Sequence, residues 1–371
     1  MNRKLRMGMV GGGKGAFIGA IHRIAANMDG MIELVCGALS TSPDKANESG
    51  KMLFLSPERS YHTYEDMIKK ESKLPADQRM DFLTIVTPNH AHFAPAMMAL
   101  DHGFHVVIDK PISFTLDEAK QLKKKVEETG LLLLLTHTYA GYPMVKQARN
   151  MVKNGELGKI RKILVEYPQA EWRTDPARSG KSGCMGDIGT HAAHLAEYIS
   201  GLKITKLCAD LNIVVEGRKL DDDGNVLLRF DNGANGVLVA SQIAAGEENA
   251  LRIRVYGEKG GLEWAQQEPN TLIMKWLDEP IQILRTGSHR LTKEANFNSR
   301  TPAGHPEGYL EAFGNLYRNF ALCLSAKIEG IEAPAEALDF PSVDEGIRGM
   351  AFIDNVVKSG LSNEKWTNFD L

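Results

Sequence analysis

Between residues 5 and 135, short apolar runs alternate with amphipathic stretches, and this alternation constrains the fold more than any other feature of the chain. The runs are residues 5–10, 32–39, 82–86, 105–108 and 131–135. Short apolar runs of this kind read as strands buried on both faces. Helical spacing appears between them, with Ile18, Ile21, Ile24 and Ala25 on one side of the first helix and Leu116, Ala119, Leu122 and Val126 along the fifth. Gly130 is placed to end that fifth helix. Regular strand–helix succession predicts a parallel, doubly wound sheet. Open sheets of this class hold ligands at the carboxyl ends of their strands.

Three of those strand ends carry candidate groups. The first run passes into Gly11-Gly12-Gly13-Lys14-Gly15-Ala16-Phe17-Ile18-Gly19 and then a helix. That context is the one in which a glycine turn binds a dinucleotide. Gly11 allows the tight turn, and Gly13 lets backbone approach a pyrophosphate at the helix N-terminus. The third position is Ala16 or, with a three-residue insertion, Gly19. At the end of the second run stand Ser40 and Thr41, with no acid for a ribose and no arginine in reach for a 2′-phosphate. The cofactor expected is NAD, with NADP still open. The fourth run ends in Asp109-Lys110-Pro111. Pro111 cannot join a sheet ladder, so Lys110 falls at the strand's carboxyl end. A partly desolvated lysine there can hold a hydrogen bond to a reacting oxygen.

Past residue 138 the pattern changes. A helix over 143–154 is stopped by Gly155, a strand covers 160–167, and a polar segment with Trp172-Arg173 leads into a helix from Gly186 to about Ser200. On that helix Asp187, His191, His194 and Tyr198 fall at i, i+4, i+7 and i+11. The spacing is not H-E-x-x-H, and no metal is expected. Residues 204–284 read as strands, with hairpin signals at Asp231-Asn232-Gly233 and over 257–261, and segments 226–230, 236–240 and 251–256 as antiparallel partners. Helices over 306–325 and 342–358 close the chain.

The fold expected is α/β plus α+β. A Rossmann domain spans residues 1–138, and an open, mainly antiparallel sheet with helices on one face spans 139–371. The uncovered face predicts a homodimer or homotetramer. With 371 residues and a net charge of -3, nothing draws the chain to nucleic acid or an anionic membrane. Its purest apolar run, 131–135, is too short to cross a bilayer, and the amino-terminal residues offer no signal-peptide core. Four widely spaced cysteines without a C-x-x-C pair suit a reducing, cytoplasmic setting.

A cofactor cradle, a strand-end lysine and an Asp/His pair together suit removal of hydride from a secondary alcohol. His191 can accept the hydroxyl proton, Asp187 can orient it or tune Lys110, and Lys110 can donate to the substrate oxygen. With these residues the sequence resembles the Gfo/Idh/MocA oxidoreductases, through the glycine turn, Thr87-Pro88-Asn89-His90-Ala91-His92, Asp109-Lys110-Pro111 and Gly186-Asp187-Ile188-Gly189-Thr190-His191. The resemblance implies Lys110, Asp187 and His191 as the catalytic group, with His191 as general base. It also implies a cis Lys110–Pro111 bond and nicotinamide contacts from Thr87, Pro88, Asn89 and His92. Asp109 stands where the family more often has Glu, and residues 136–141 lack the family's Asn-Tyr-Arg pattern. Trp172-Arg173 and Gly304-His305-Pro306-Glu307-Gly308-Tyr309 are similar to branches acting on sugars and glycosides. Trp172, Arg173, His194, His305 and Tyr309 are therefore the candidate substrate contacts. The reaction expected is NAD(P)-dependent oxidation of a ring hydroxyl of a sugar, glycoside or cyclitol, with C3 of a glucoside as the specific expectation. The alternatives are an NAD-retaining glycosidase or lyase that returns its hydride, and a non-catalytic sensor of dinucleotide or sugar.

Overall fold

The computed structural model describes residues 3–170 and 180–371. The chain forms two compact units, one of Met1–His137 with Phe313–Ile347 and one of Thr138–Ala312 with Arg348–Leu371.

In the first unit, β1 (Leu5–Gly11), β2 (Ile32–Ala38), β3 (Phe82–Val86), β4 (His105–Ile108) and β5 (Leu133–Leu135) form one parallel sheet in the order β2-β1-β3-β4-β5. Ile85 of β3 pairs with Val10 on one side and Ile108 on the other. Every residue of β3 and β4 is buried, as central strands covered by helices require. The chain leaves β1 in opposite directions toward β2 and β3, which puts the switch point at the carboxyl ends of β1 and β3. The helices are α1 (Phe17–Asn27), α2 (Pro43–Met52), α3 (Tyr64–Glu71), α4 (Phe93–Asp101) and α5 (Leu116–Thr129). The last begins with a reciprocal Thr115/Glu118 capping box and ends at left-handed Gly130.

Two expectations for this unit are revised. The buried face of α1 is Gly19, His22, Ala25 and Ala26, while Ile24 is largely exposed. A division at 138/139 assigns residues 313–347 to the second domain, yet they pack with the first. From Phe313 onward the helix Tyr309–Glu329 lies against the parallel sheet. Its Phe320 ring sits 5.2 Å from Phe82 and its Phe313 ring 4.7 Å from His22. Burying a side chain such as Phe320 is worth about 2–3 kcal/mol, and a helix with such a stripe follows the surface that accepts it, whatever its place in the chain.

The second unit is built on nine strands, β6 (Ile160–Pro168), β7 (Ile204–Asn212), β8 (Asp223–Phe230), β9 (Asn235–Ser241), β10 (Arg252–Gly257), β11 (Gly260–Ala265), β12 (Thr271–Trp276), β13 (Gln282–Arg285) and β14 (Thr367–Asn368). Their order is β13-β12-β11-β10-β6-β9-β8-β7-β14. All neighbours are antiparallel except β6 and β9. Both hairpin signals form their turns, with Gly233 in the left-handed region at φ +88°. Residues 251–256 do not pair with 236–240, because β6 lies between them, parallel to β9 and antiparallel to β10. Turn signals report only local pairing, and β6 comes from seventy or more residues away. Helices α6 (Pro143–Lys153) and α7 (Thr190–Ser200) pack on the sheet. They cover the face formed by Ile163, Val165, Leu228, Leu238, Ile253 and Val255. Among the described residues, no helix is long and apolar enough to cross a membrane.

Candidate active site

The turn after β1 is shaped by three glycines. Gly11 and Gly12 hold φ of +79° and +71°, and a Cβ on Gly19 would stand 2.3 Å from the Gly12 Cα. That close approach identifies Gly19, rather than Ala16, as the position where helix meets turn. It also sets the phase of α1, so that His22, three residues on, points inward. Gly13 serves packing: a Cβ there would meet the Leu39 carbonyl at 2.6 Å and Ser49 Oγ at 2.7 Å. Arg23 donates to the Gly12 carbonyl at 2.6 Å, and Ser49 Oγ accepts from Lys14 N at 3.0 Å. The first turn of α1 has no acidic residue, and Ala16 gives it no side-chain cap. A cavity of about 350 Å³ opens against Gly13, Lys14, Gly15, Ala16 and Phe17. Uncapped helix amides beside such a space fit a dinucleotide pyrophosphate. Ser40 and Thr41 are not in the wall of that cavity, and Ser40 Oγ accepts from Ser42 N at 3.2 Å.

At the end of β3, Thr87 and Asn89 are half-exposed and Pro88 is exposed, and Thr87 Oγ1 donates to the Ala91 carbonyl at 2.9 Å. His92 lies differently. It is buried, with Nδ1 2.6 Å from the Pro111 carbonyl and Nε2 2.8 Å from the Thr87 carbonyl. Both ring nitrogens thus face backbone carbonyl oxygens.

The end of β4 is held by a network that patterning did not reveal. The Lys110–Pro111 bond is cis. Asp109 Oδ1 accepts from Lys110 N at 2.9 Å and from Thr136 Oγ1 at 3.0 Å. His22 Nε2 lies 3.9 Å from the same oxygen, an electrostatic contact rather than a hydrogen bond. His22 Nδ1 in turn meets the Tyr317 hydroxyl at 2.7 Å. Burial alone would raise the Asp109 carboxyl, but His22, His92 and Lys110 outweigh it and hold the group down at about 2. Lys110 is therefore flanked by a carboxylate kept ionised.

In the second unit, Asp187 and His191 sit where one turn of π-helix (Met185–Gly189) runs into α7. Such turns are frequent at functional sites. The turn is anchored by Asp221. Its Oδ1 accepts from Ser182 Oγ and Gly183 N, its Oδ2 from Met185 N, and its carbonyl from Cys184 N, each at 2.8 Å. Asp187 Oδ2 accepts from Gln242 Nε2 at 3.1 Å. His191 is buried among aromatic rings, with the Tyr139 ring 4.9 Å away in a T-shaped contact and the tilted Tyr167 ring 6.4 Å away. The two phenols hydrogen-bond each other, and Tyr167 donates to Asn249 Oδ1 at 3.2 Å. Burial pushes the Tyr139 phenol well above its ordinary value, so it stays protonated.

Of the candidate substrate contacts, His194 stacks on Tyr198 at 5.5 Å, and the Arg149 guanidinium covers that Tyr198 ring at 4.3 Å. Tyr309 opens its helix half-buried; burial, with Tyr309 nearby as a smaller cause, raises the Tyr139 and Tyr142 phenols. His305 is exposed, with Nδ1 3.4 Å from the Pro302 carbonyl. Trp172 and Arg173 lie outside the described residues. Sequence reasoning missed His22, Thr136 and Tyr317 behind Asp109, and Tyr139, Tyr167, Asp221 and Gln242 around the helix. Only the glycine register carried a signal that could have found His22.

Residues 5–137 match the family model of oxidoreductases with an NAD-binding Rossmann fold, and residues 145–263 match the GFO/IDH/MocA C-terminal domain. A crystal structure of an oxidoreductase from Sinorhizobium meliloti is 46% identical, covering 99% of this chain and 100% of its own, with a TM-score of 0.92. An inositol dehydrogenase homolog from Azotobacter vinelandii, complexed with NADH and myo-inositol, is 33% identical over 100% of this chain and 98% of its own, with a TM-score of 0.92. Levoglucosan dehydrogenase from Pseudarthrobacter phenanthrenivorans is 25% identical over 99% of this chain and 98% of its own. With both domain types matched in order and full-length relatives above 30% identity, the chain belongs to the GFO/IDH/MocA family of NAD-binding oxidoreductases.

Proposed function

We propose that the protein oxidises a secondary ring hydroxyl of a sugar, glycoside or cyclitol to a ketone, with NAD as the hydride acceptor. Lys110 donates a hydrogen bond to the substrate oxygen and lowers its pKa as charge develops. His191 takes the hydroxyl proton, and Asp187 orients the imidazole. When bound, the dinucleotide supplies the redox chemistry, and the side chains supply position and proton transfer. The observation that carries this reading is the lysine turn: Lys110 stands beside an ionised carboxylate at the carboxyl end of a central strand, in a domain whose glycine turn fits a pyrophosphate. C3 of a glucoside and a ring carbon of an inositol offer the same local chemistry, a CH–OH flanked by two others. Relatives named for levoglucosan and inositol support that class. The uncovered face of the nine-stranded sheet exposes apolar side chains such as Leu227 and Ile283, and we extend the proposal to a homodimer or homotetramer formed there.

The test is a screen of myo-inositol, levoglucosan and methyl glucosides with NAD and NADP separately, read by absorbance of the reduced nicotinamide. Reduction of NAD by at least one cyclic polyol is the expected result. Consumption of a glycoside with no net reduction would overturn it.

A further inference from the structure

We propose that His92 is a positioning residue for Lys110, and that it acts by tying two strand-end turns together rather than by touching the dinucleotide. The ring lies at the start of α4, and its two nitrogens reach in opposite directions. Nε2 is 2.8 Å from the carbonyl of Thr87, the residue just past β3. Nδ1 is 2.6 Å from the carbonyl of Pro111, the residue just past Lys110. Only 1% of the residue is exposed, so no polar atom of the ring is left over for a ligand.

These contacts complete the fixation of the lysine peptide. On its amino side, the Lys110 N–H donates to Asp109 Oδ1 at 2.9 Å, and Thr136 holds the same oxygen at 3.0 Å. Asp109 N donates to the Ile85 carbonyl at 3.0 Å, which joins this turn to β3 from below. On the carboxyl side the tie is His92. Burial lowers the ring's proton affinity, and the Asp109 carboxylate offsets that only in part. A neutral ring keeps one of the two hydrogen bonds and an imidazolium keeps both, and in either state the ring spans the gap. Removing it leaves the Pro111 carbonyl without this partner and lets the lysine turn shift against β3. A displacement of about 1 Å in a reacting group can cost on the order of a hundredfold in rate.

The inference rests on Lys110 being catalytic, and the experiment separates the two claims. His92→Ala, His92→Gln and Lys110→Ala are compared with the parent protein for turnover of myo-inositol, or of whichever polyol the screen ranks first. The KM for that polyol and the Kd for NAD, from quenching of intrinsic fluorescence, are measured in parallel. In His92→Ala, kcat should fall roughly tenfold to a hundredfold while the NAD Kd stays within about twofold. His92→Gln has one amide donor for one of the two carbonyls and should recover part of the loss, an order that a merely destabilised protein does not produce. It also keeps the test open should the alanine variant fold poorly. An NAD Kd raised tenfold with kcat preserved at saturation would make His92 a dinucleotide contact and overturn the proposal. Full turnover in His92→Ala beside an inactive Lys110→Ala overturns the proposal alone. Full turnover in Lys110→Ala overturns the reading beneath it.

Discussion

The two proposed catalytic groups are held by different physics. The Lys110 turn is fixed by polar contacts: Asp109, Thr136, His92 and, behind them, His22 and Tyr317. His191 is buried among rings, packed against Tyr139 and Tyr167 on a helix whose preceding turn is tied to Asp221. The contrast follows from the task proposed for each. A lysine proposed to donate to a developing alkoxide is served by an ionised neighbour and a fixed backbone. For a proposed general base the ring plane has to be fixed, which packing against Tyr139 and Tyr167 helps to do.

The largest effects should come from removing the two groups themselves. Lys110→Ala and His191→Ala should each lower turnover by roughly a hundredfold or more with NAD affinity nearly intact, measured by steady-state kinetics beside fluorescence titration. Parent-level turnover in either removes one side of the contrast. Next comes the cradle. Gly19→Val places side-chain atoms into the Gly12 backbone, whose Cα would lie 2.3 Å from the new Cβ, and should weaken NAD binding by about tenfold or more. An unchanged titration curve would show that the turn gives way without cost.

Asp221→Ala tests how the histidine helix is anchored. It deletes an acceptor of three hydrogen bonds and should reduce stability by about 2–3 kcal/mol, read from the urea midpoint. Turnover should fall with it, and a loss of stability without loss of turnover separates the anchor from the chemistry. The smallest effect concerns acid. His105 Nδ1 accepts from Leu132 N at 2.8 Å, and burial pushes that ring down to about 4. The folded ring stays neutral while the unfolded one gains a proton near pH 6.5, so its stability contribution is whole above about 6.5 and declines toward about 4. Asp109 adds a further loss below the ordinary carboxyl value of about 3.9, as pH approaches about 2. His105→Gln should flatten the stability profile between pH 6.5 and 4. An unaltered slope there would assign the acid sensitivity to other groups.

Local signals were legible because their physics is local. Five apolar runs, a glycine turn, Gly130 at a helix end and a proline after Lys110 each act within a few residues, and each appears in the folded chain. The α1 register was misread because Ile18, Ile21 and Ile24 make a plausible apolar stripe, while the contact of Gly19 with Gly12 decides which side turns inward.

Sequence alone was enough for the parallel sheet and the turn at its first strand, because chain periodicity and backbone chemistry carry that information. The resemblance to the family, carried by four short motifs, is what implies Lys110, Asp187 and His191. Tertiary structure decided the rest: β6 between two hairpin blocks, residues 313–347 packed with the first unit, His92 turned into the interior, and His22 and Tyr317 behind Asp109. Each of these joins segments distant in the chain. Nothing in local spacing records such contacts, since their energy arises only when separate surfaces meet and exclude water.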